Sequence, residues 1–441
     1  MIYRAFDRSK CLYRRAVDLY RRVYWQGRCS PVRFTTGSFS NLTYEETLLL
    51  QSEPRRAELA VPFHRPSIGE EEIAEVVETL RSGWLTTGPK VEQFQREFAE
   101  AVSARHAIAV NSATAALHLA LEAVGVTAGD EVIIPTYTFT ATGEVVTYLG
   151  ARPVLADCRP DTLNIDVSTI EPHLTGRTKA ILPVHIAGQA CDMGPILELA
   201  RERGLAVIED AAHALPATYK GQPVGTIGDI TAFSFYATKT ITTGEGGMVT
   251  TERDDYAARM KLMSLHGLSG DAWNRYSSRG HWYYEVADFG FKYNMTDVAA
   301  ALGRRQLQRM WDFHRRREQI ARMYDEGFGD LDACVLPRNA GFGTHAWHLY
   351  ILELNLGALA TGRDEVLTTL RQRGIGTSVH FIPLHLHPIY QRRLGYQPGQ
   401  FPVAEAVFNR ACSLPIYPGM DDSEVAHVIE TVRATLRDLR R

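Results

Sequence analysis

The amino-acid sequence predicts an α/β fold with a mostly parallel sheet that is covered by helices on both faces. Between residues 107 and 251, short apolar runs alternate with stretches of helical pattern. Such runs are typical of strands buried on both faces, and their alternation with helices is typical of parallel sheets. The predicted strands cover residues 107–110, 132–135, 152–157, 180–185, 206–210, 231–236 and 248–251.

A helical stretch at residues 297–326, rich in Arg and Leu, predicts a connection into a smaller C-terminal domain. We therefore divide the chain into an N-terminal extension (1–60), a large domain (61–310) and a small α/β domain (311–441). In the small domain we expect strands near 349–354 and 378–382. The helices expected there cover residues 364–373, 402–412 and 422–439.

Two helices are expected before the first strand of the large domain. Ser67 followed by Glu70 has the form of a capping box for a helix over 70–81, which Gly83 ends. A loop at 84–89 leads into a second helix over 91–101.

Composition and charge exclude several classes of protein. The chain has 441 residues, of which 45% are hydrophobic and 22% charged, so it can bury a large core and is not disordered. The formal net charge of −3 gives no general reason to expect nucleic acid as a partner. The six cysteines include no C-x-x-C pair, and neither a signal peptide nor a membrane span is visible. We expect a cytoplasmic protein without disulfides and without stable membrane insertion.

Two features outside the main pattern have alternative interpretations. Residues 1–33 carry nine Lys or Arg against two Asp, with apolar residues at helical spacing. They could form a basic amphipathic helix for membranes or polyanions, a surface extension, or the product of an unused upstream translation start. The histidines of SVHFIPLHLHP (His380, His385 and His387) could suggest a metal, but no carboxylate or thiol accompanies them, and we predict no metal site.

The stretch ITAFSFYATKTITTGEGGMVTT, residues 230–251, places Lys239 between a buried strand and a glycine-rich turn. Partial desolvation there lowers the pKa of a lysine and frees its amine to attack a carbonyl. A surface lysine before a hairpin is the alternative for an isolated lysine, so the interpretation depends on two upstream stretches.

The first upstream stretch is LAVIEDAAHALPA, in which Asp210 follows a predicted buried strand. Ligands of open α/β sheets collect at the carboxyl ends of the strands. A carboxylate in an apolar site requires a positive partner, and a protonated pyridine nitrogen is one. Aspartate together with a cofactor-bound lysine is the recurring pair of pyridoxal-phosphate enzymes.

The second upstream stretch is AIAVNSATAALHLAL, where a strand runs into an Ala- and Leu-rich helix. Ser112, Ala113 and Thr114 stand at the start of this helix. Small hydroxyl residues there are ordinary N-caps, but the free N–H groups also suit a cofactor phosphate. Ser234, before the lysine, could add a further hydroxyl.

With these motifs the chain resembles the DegT/DnrJ/EryC1/StrS family of sugar aminotransferases, from about Val61 to the C-terminus. The closest branch acts on nucleotide-linked 4-keto sugars and includes the UDP-4-amino-4-deoxy-L-arabinose aminotransferase type. The motifs are, in order, PFHRPSIGEEEI, SGWLTTGPKV, NSATAALHLAL, GDEVIIPTYTFTAT, TKAILPVHIAGQACDM, VIEDAAHA, SFYATKTITTGEGG, FKYNMTD, HAWHLY, RGIGTSVHFIPLH and SLPIYPGM. The resemblance implies the type I pyridoxal-phosphate aminotransferase fold, with a seven-stranded, mostly parallel sheet in the large domain.

The resemblance also implies roles for individual residues. Lys239 is expected to be the catalytic residue and to carry the cofactor covalently. His213 matches a residue near the phenolic oxygen of the cofactor, and Phe139 matches an aromatic residue that stacks on its ring. Asn294 matches an asparagine that reaches the phosphate from the neighbouring subunit, which implies a homodimer with shared active sites. The family's commoner NSGTAAL is NSATAAL here, with Ala113 in place of glycine, as in the arabinose-type branch.

The implied function is transfer of an amino group, with glutamate as the expected donor, to carbon 4 of a nucleotide-linked keto sugar. Such a reaction belongs to cell-surface polysaccharide, lipopolysaccharide or amino-sugar biosynthesis. Two alternatives stay open on the sequence. One is an aminotransferase acting on carbon 3 of a sugar or on a cyclitol, and the other is a non-catalytic regulator built on the same fold.

Overall fold

The computed structural model describes residues 60–268 and 284–441, and the expectations for residues 1–59 lie outside the described residues. Twelve strands occur among the described residues. They are β1 (His106–Val110), β2 (Glu131–Pro135), β3 (Arg152–Ala156), β4 (Thr178–Ile181), β5 (Ala206–Asp210), β6 (Thr218–Tyr219), β7 (Gln222–Pro223), β8 (Ile230–Ser234), β9 (Gly247–Thr251), β10 (Cys334–Val335), β11 (Tyr350–Leu354) and β12 (Ala411–Leu414).

Seven of these strands form one sheet in the order β1-β9-β8-β5-β4-β2-β3. The pairs from β8 to β3 are parallel, and only β9 runs antiparallel to both of its neighbours in this sheet. The expected seven-stranded, mostly parallel sheet is therefore confirmed. A second sheet, β10-β11-β12, is antiparallel, and β6 and β7 form a short hairpin.

The α-helices of the described residues surround these sheets. They are α1 (Glu70–Ser82), α2 (Pro89–Val102), α3 (Ala113–Ala123), α4 (Thr140–Tyr148), α5 (Val167–Ile170), α6 (Met193–Arg203), α7 (Asp254–Met263), α8 (Asp297–Gln308), α9 (Met310–Phe328), α10 (Arg363–Gln372), α11 (Pro388–Leu394), α12 (Pro402–Arg410) and α13 (Asp422–Asp438).

The central sheet separates two apolar clusters, because successive side chains of a strand point to opposite faces. In β2, Val132 and Ile134 belong to one cluster, and Ile133 belongs to the other. All five residues of β2 are buried. Continuous apolar runs are therefore the correct signal for these strands, since helices cover both faces. A third cluster joins β11 to α9 and α13.

One part of the C-terminal prediction is wrong. Residues 378–382 do not form a strand, and Ser378 makes only an isolated bridge to Ser413. The third strand of the small sheet is β12, which follows directly after α12, whereas the sequence placed its first two residues in a helix. Within this segment, SVHFI, His380 and Phe381 line a cavity instead of pairing in a sheet.

Two helix boundaries also differ from expectation. The N-cap of α1 is Gly69, whose N–H donates to the Glu72 carboxylate at 2.9 Å, so Ser67 and Glu70 do not form the capping box. The long helical stretch is divided at Arg309 into α8 and α9.

An ion-pair network holds α1, α2 and α8 together. Glu75 is 3% exposed and accepts from Lys90 at 2.6 Å, Arg304 at 2.8 Å and Arg305 at 2.6 Å. Burial by itself would raise the pKa of Glu75, but hydrogen bonds from Lys90 and Arg305 lower it overall. The carboxylate therefore stays ionised at neutral pH and links three helices. Among the described residues, no helix is long and apolar enough to cross a membrane.

We expect Glu75→Ala to lower the free energy of unfolding by about 2 kcal/mol, because three cations would lose their shared buried acceptor, although Arg304 would keep its pair with Glu97. Urea denaturation followed by circular dichroism measures this loss. The matched control is Glu92→Ala, which removes an exposed pair with Arg96 and should change stability by no more than about 0.5 kcal/mol. Equal losses in the two variants would contradict a stabilising role for the network.

Candidate active site

A cavity of about 320 Å³ lies where β5 and β8 end, beside the start of α3. Parallel strands of this kind of sheet present their ligand sites at that edge. Of the nine residues predicted for the site, eight line this cavity, and Asn294 is not among its lining residues. The eight are Ser112, Ala113, Thr114, Phe139, Asp210, His213, Ser234 and Lys239.

Lys239 is half-buried in the loop that follows β8. Burial disfavours its ammonium form and lowers its pKa to about 8, although the charge of Asp210 opposes the shift. Roughly a tenth of such an amine is uncharged at pH 7. Lys239 can therefore act both as a nucleophile and as a group that takes up and returns a proton.

The loop that carries Lys239 is fixed by its own backbone. The Phe235 N–H donates to the Gly246 carbonyl at 2.9 Å, and the Thr243 N–H donates to the Phe235 carbonyl at 2.9 Å. Gly244 adopts a φ of +79°, a conformation that glycine reaches without strain. The lysine therefore projects from a closed turn.

Gly247 at the start of β9 is needed for a different reason. A Cβ atom built on it would lie 2.7 Å from the carbonyl carbon and oxygen of Ser112. The strand can therefore pass the start of α3 only without a side chain at this position.

Asp210 is the last residue of β5 and is 5% exposed. Its Oδ2 accepts from the Thr142 hydroxyl at 2.9 Å, and its Oδ1 accepts from the Ala212 N–H at 3.1 Å. Burial raises the pKa of Asp210, while these two donors and the charge of Lys239 act in the opposite direction. Neither oxygen receives an ion pair from the described residues. A cationic ligand group would relieve the cost of this buried carboxylate.

Ser112 is the N-cap of α3, since its Oγ accepts from the Ala115 N–H at 3.1 Å. The N–H groups of Ala113 and Thr114 belong to the first turn, where an α-helix offers no partners of its own. The start of α3 is therefore both an ordinary cap and a place where an anion can be held.

Histidine and phenylalanine rings form another part of the cavity wall. His213 is 6% exposed, its Nδ1 has no partner, and its ring lies 5.7 Å from Phe381 and 4.4 Å from His348. Burial, together with the charge of Lys239, holds the pKa of His213 well below its usual value. Its imidazole is therefore neutral and has an unused polar atom. Phe139 is 58% exposed and lies 6.1 Å from Phe381.

Four features of the site were not predicted from the sequence: Thr142, His64, His348 and the buried Arg317. Arg317 lies behind the wall and donates to the carbonyls of Trp347 at 3.3 Å, His348 at 3.4 Å and Ile416 at 2.6 Å. It thereby fixes the backbone of two cavity-lining residues. His64, Thr142 and His348 lie within the family motifs, but the motifs did not specify which side chains would meet, and no motif contains Arg317.

Of the three histidines in SVHFIPLHLHP, His380 lines the cavity, whereas His385 does not. The His385 ring contacts the Thr136 hydroxyl at 2.8 Å and the Glu405 carboxylate at 2.9 Å. His385 therefore bonds within the protein, away from the cavity.

Asn294 bonds within its own chain. Its amide nitrogen donates to the Thr87 hydroxyl at 2.7 Å, and its amide oxygen accepts from Lys292. It also bridges to Val110, the last residue of β1. Asn294 is therefore held at a fixed position outside the cavity of its own chain.

The residues present fit pyridoxal phosphate. A partly neutral lysine could take its aldehyde, and a buried carboxylate without a cationic partner could take its ring nitrogen. The start of α3 could take its phosphate. Each of these groups contributes to the wall of the same cavity.

Comparisons with known proteins agree with this fit. The family model of the DegT/DnrJ/EryC1/StrS aminotransferase family matches residues 66–433. An uncharacterized protein of Methanocaldococcus jannaschii is 51% identical over 380 residues, which cover 86% of this chain and 98% of that protein. A spore coat polysaccharide biosynthesis protein of Bacillus subtilis is 52% identical over 374 residues, or 85% of this chain and 96% of that protein.

Two solved structures are similar over most of this chain. One, from Streptococcus pneumoniae, is named as a sugar aminotransferase in its PLP form, with 36% identity, a TM-score of 0.80 and coverage of 86% of this chain and 100% of its own. The other is a Helicobacter pylori aminotransferase involved in pseudoaminic acid biosynthesis, with 28% identity, a TM-score of 0.80 and coverage of 86% and 100%. The expected type I fold is confirmed by these structures. The chain belongs to the DegT/DnrJ/EryC1/StrS aminotransferase family and is a pyridoxal-phosphate-dependent aminotransferase.

Proposed function

We propose that the protein moves an amino group from glutamate to carbon 4 of a nucleotide-linked keto sugar. The named relatives support the sugar class, since they include a polysaccharide biosynthesis protein and aminotransferases named for sugars. The resemblance of the motifs to the branch acting on 4-keto sugars supports the carbon. The product would enter cell-surface polysaccharide, lipopolysaccharide or amino-sugar biosynthesis.

The observation that carries the proposal is the meeting of Lys239 and Asp210 in one cavity. Pyridoxal phosphate, when bound, supplies the aldehyde that exchanges the amino group and a ring that accepts electrons. Lys239 holds the cofactor and then, once free, moves a proton at its Nζ. It is the catalytic residue in this proposal. Asp210 holds the ring nitrogen in its protonated form.

The remaining predicted residues position the cofactor in this proposal. Ser112, Ala113 and Thr114 bind the phosphate at the start of α3, and Ser234 adds a hydroxyl from the end of β8. Phe139 offers an exposed ring face for stacking. His213, kept neutral by burial, directs its unpartnered Nδ1 to the phenolic oxygen.

The chemistry of the cavity wall supports a sugar as the second substrate. Phe63, Phe381 and Ile416 supply apolar surface, and His64 and His380 supply polar atoms. Burial lowers the pKa of both His64 and His380 to about 4, so each imidazole is neutral at pH 7. Neutral donors and acceptors between apolar surfaces suit sugar hydroxyls, because they hydrogen-bond without imposing a charge.

A homodimer with shared sites accounts for the position of Asn294. Its chain segment bonds to the loop at 84–88, since the Asp297 N–H donates to the Thr86 carbonyl at 3.1 Å. Exposed apolar residues of the same regions are Leu85, at 48% exposed, and Phe289, at 93% exposed. Side chains of this kind are suited to burial against a second copy. Asn294 then reaches the phosphate in the partner's cavity.

The first prediction of the proposed function concerns the pH dependence of cofactor attachment. The rate at which apoprotein forms its covalent link with pyridoxal phosphate should rise about tenfold per pH unit below pH 8 and level off above it. The reason is that only the uncharged Lys239 amine attacks, and its pKa is about 8. Rapid mixing with absorbance detection measures the rate. Lys239→Ala should remove the reaction, and the exposed-lysine control Lys220→Ala should leave the profile unchanged. A midpoint near the ordinary lysine pKa would contradict the desolvation of Lys239.

The second prediction tests the substrate. Holoenzyme with glutamate should aminate a 4-keto sugar nucleotide within a panel of 4-keto and 3-keto sugar nucleotides and keto-cyclitols. Mass spectrometry detects the amino product, and Lys239→Ala is the inactive control. Preference for a 3-keto sugar or a cyclitol would overturn the assignment to carbon 4. Failure of glutamate, with success of another amino acid, would overturn the donor alone.

The third prediction tests the shared site. Asn294→Ala should weaken cofactor retention by about tenfold to a hundredfold, the range of one hydrogen bond to a charged acceptor. In a mixed dimer with Lys239→Ala, one site receives both changes and the other receives neither. Activity should therefore partly recover when the two variants exchange subunits. No recovery after confirmed exchange would mean that Asn294 acts in its own chain or not at all.

A further inference from the structure

Two buried threonine hydroxyls form a chain of hydrogen bonds that ends on the Asp210 carboxylate. Neither threonine was predicted from the sequence. Thr142 is 0% exposed, and its Oγ1 lies 2.9 Å from the Asp210 Oδ2. Thr138 is 2% exposed, and its Oγ1 lies 2.9 Å from the Thr142 Oγ1. Both threonines line the cavity.

The direction of these hydrogen bonds follows from the chemistry of the groups. An ionised carboxylate only accepts, so the Thr142 hydroxyl donates to Asp210. Because the Thr142 hydroxyl uses its only hydrogen in the bond to Asp210, its oxygen can only accept from Thr138. The Thr138 hydroxyl therefore donates to the Thr142 oxygen. The two dipoles therefore point the same way, and each strengthens the other.

The two donors also fix the plane of the carboxylate. The Ala212 N–H holds the Oδ1 from the chain that follows β5, while Thr142 holds the Oδ2 from α4. Rotation about the side chain would break at least one of these bonds. A carboxylate has about four lone-pair sites, so acceptor capacity remains on each oxygen.

We propose that Thr142, supported by Thr138, is a positioning residue that holds the Asp210 carboxylate in the orientation and charge state required by the cofactor ring nitrogen. This inference rests on the role of Asp210 given under the proposed function. Without the hydroxyl of Thr142, the carboxylate would turn more freely. It would also lose a donor that stabilises its negative charge in a buried place.

Packing is the alternative role for a buried threonine, and substitutions separate the two roles. Thr142→Val keeps the shape of the side chain and removes the hydroxyl, whereas Thr142→Ser keeps the hydroxyl and removes a methyl group. Thr140→Val is the matched control in the same helix, because the Thr140 hydroxyl donates to Glu144 at 2.9 Å instead of Asp210.

The test is the protonation of the ring nitrogen in holoenzyme loaded with ¹⁵N-labelled pyridoxal phosphate, followed by NMR across pH. The dissociation constant of the cofactor is measured in parallel. Thr142→Val should release the ring proton at lower pH than the wild type and weaken cofactor binding by about tenfold. Thr142→Ser and Thr140→Val should resemble the wild type. If Thr142→Val does not fold, Thr142→Ala removes the same hydroxyl from a smaller side chain.

Asp210→Asn distinguishes failure of this inference from failure of its premise. If Asp210→Asn loses the ring proton and Thr142→Val keeps both the proton and the affinity, the positioning role of Thr142 is overturned. If Asp210→Asn also keeps the proton, the proposed role of Asp210 is wrong, and the inference falls with it. Loss of the proton in Thr142→Val that serine does not restore would assign Thr142 to packing.

Discussion

The site depends on the separation of two charged groups, the buried carboxylate of Asp210 and the half-buried amine of Lys239. Asp210 and Lys239 influence each other's pKa, yet no ion pair joins them. A direct ion pair would satisfy both groups, because it would hold the lysine as an ammonium and compensate the charge of the carboxylate without a ligand. Asp210 ends β5, whereas Lys239 lies in the loop that follows β8. Because no ion pair joins them, the amine and the carboxylate each lack a partner of opposite charge. In the proposed function, binding of the cofactor would supply a partner to both groups at once.

The neutral histidines around these charges have a related effect. Burial lowers the pKa of His348 as well as that of His213, so neither ring carries a positive charge next to Lys239. Behind them lies Arg317, which is 1% exposed. Its Nη1 donates to backbone carbonyls, while its Nε and Nη2 have no partner among the described residues. Among the described lining residues, the acidic and basic side chains are therefore those of Asp210, Lys239 and Glu245, and the neutral histidines offer hydrogen bonds without competing for protons.

Local patterns of the sequence were sufficient to predict the sheet. Local patterns and the family motifs together selected eight residues that line one cavity. The apolar run of β2 and the cap at Ser112 are visible in the letters themselves. Contacts over long chain separations were not visible. Thr142 meets Asp210 across 68 positions, and nothing in TFTAT distinguishes its second threonine from its third. The wrongly predicted strand at 378–382 has the same origin, since Phe381 lines the cavity and Ile382 is exposed, so that neither packs within a sheet.

Gly247 lies close to the backbone of Ser112, and this contact restricts motion between β9 and the start of α3. Backbone lies against backbone there, with no side chain between them. The lysine loop and the start of α3 therefore cannot slide past one another without a clash, and they behave as one stiff body. A change in the width of the cavity would then depend on its other lining segments, such as the one that carries His380 and Phe381, which belongs to no strand.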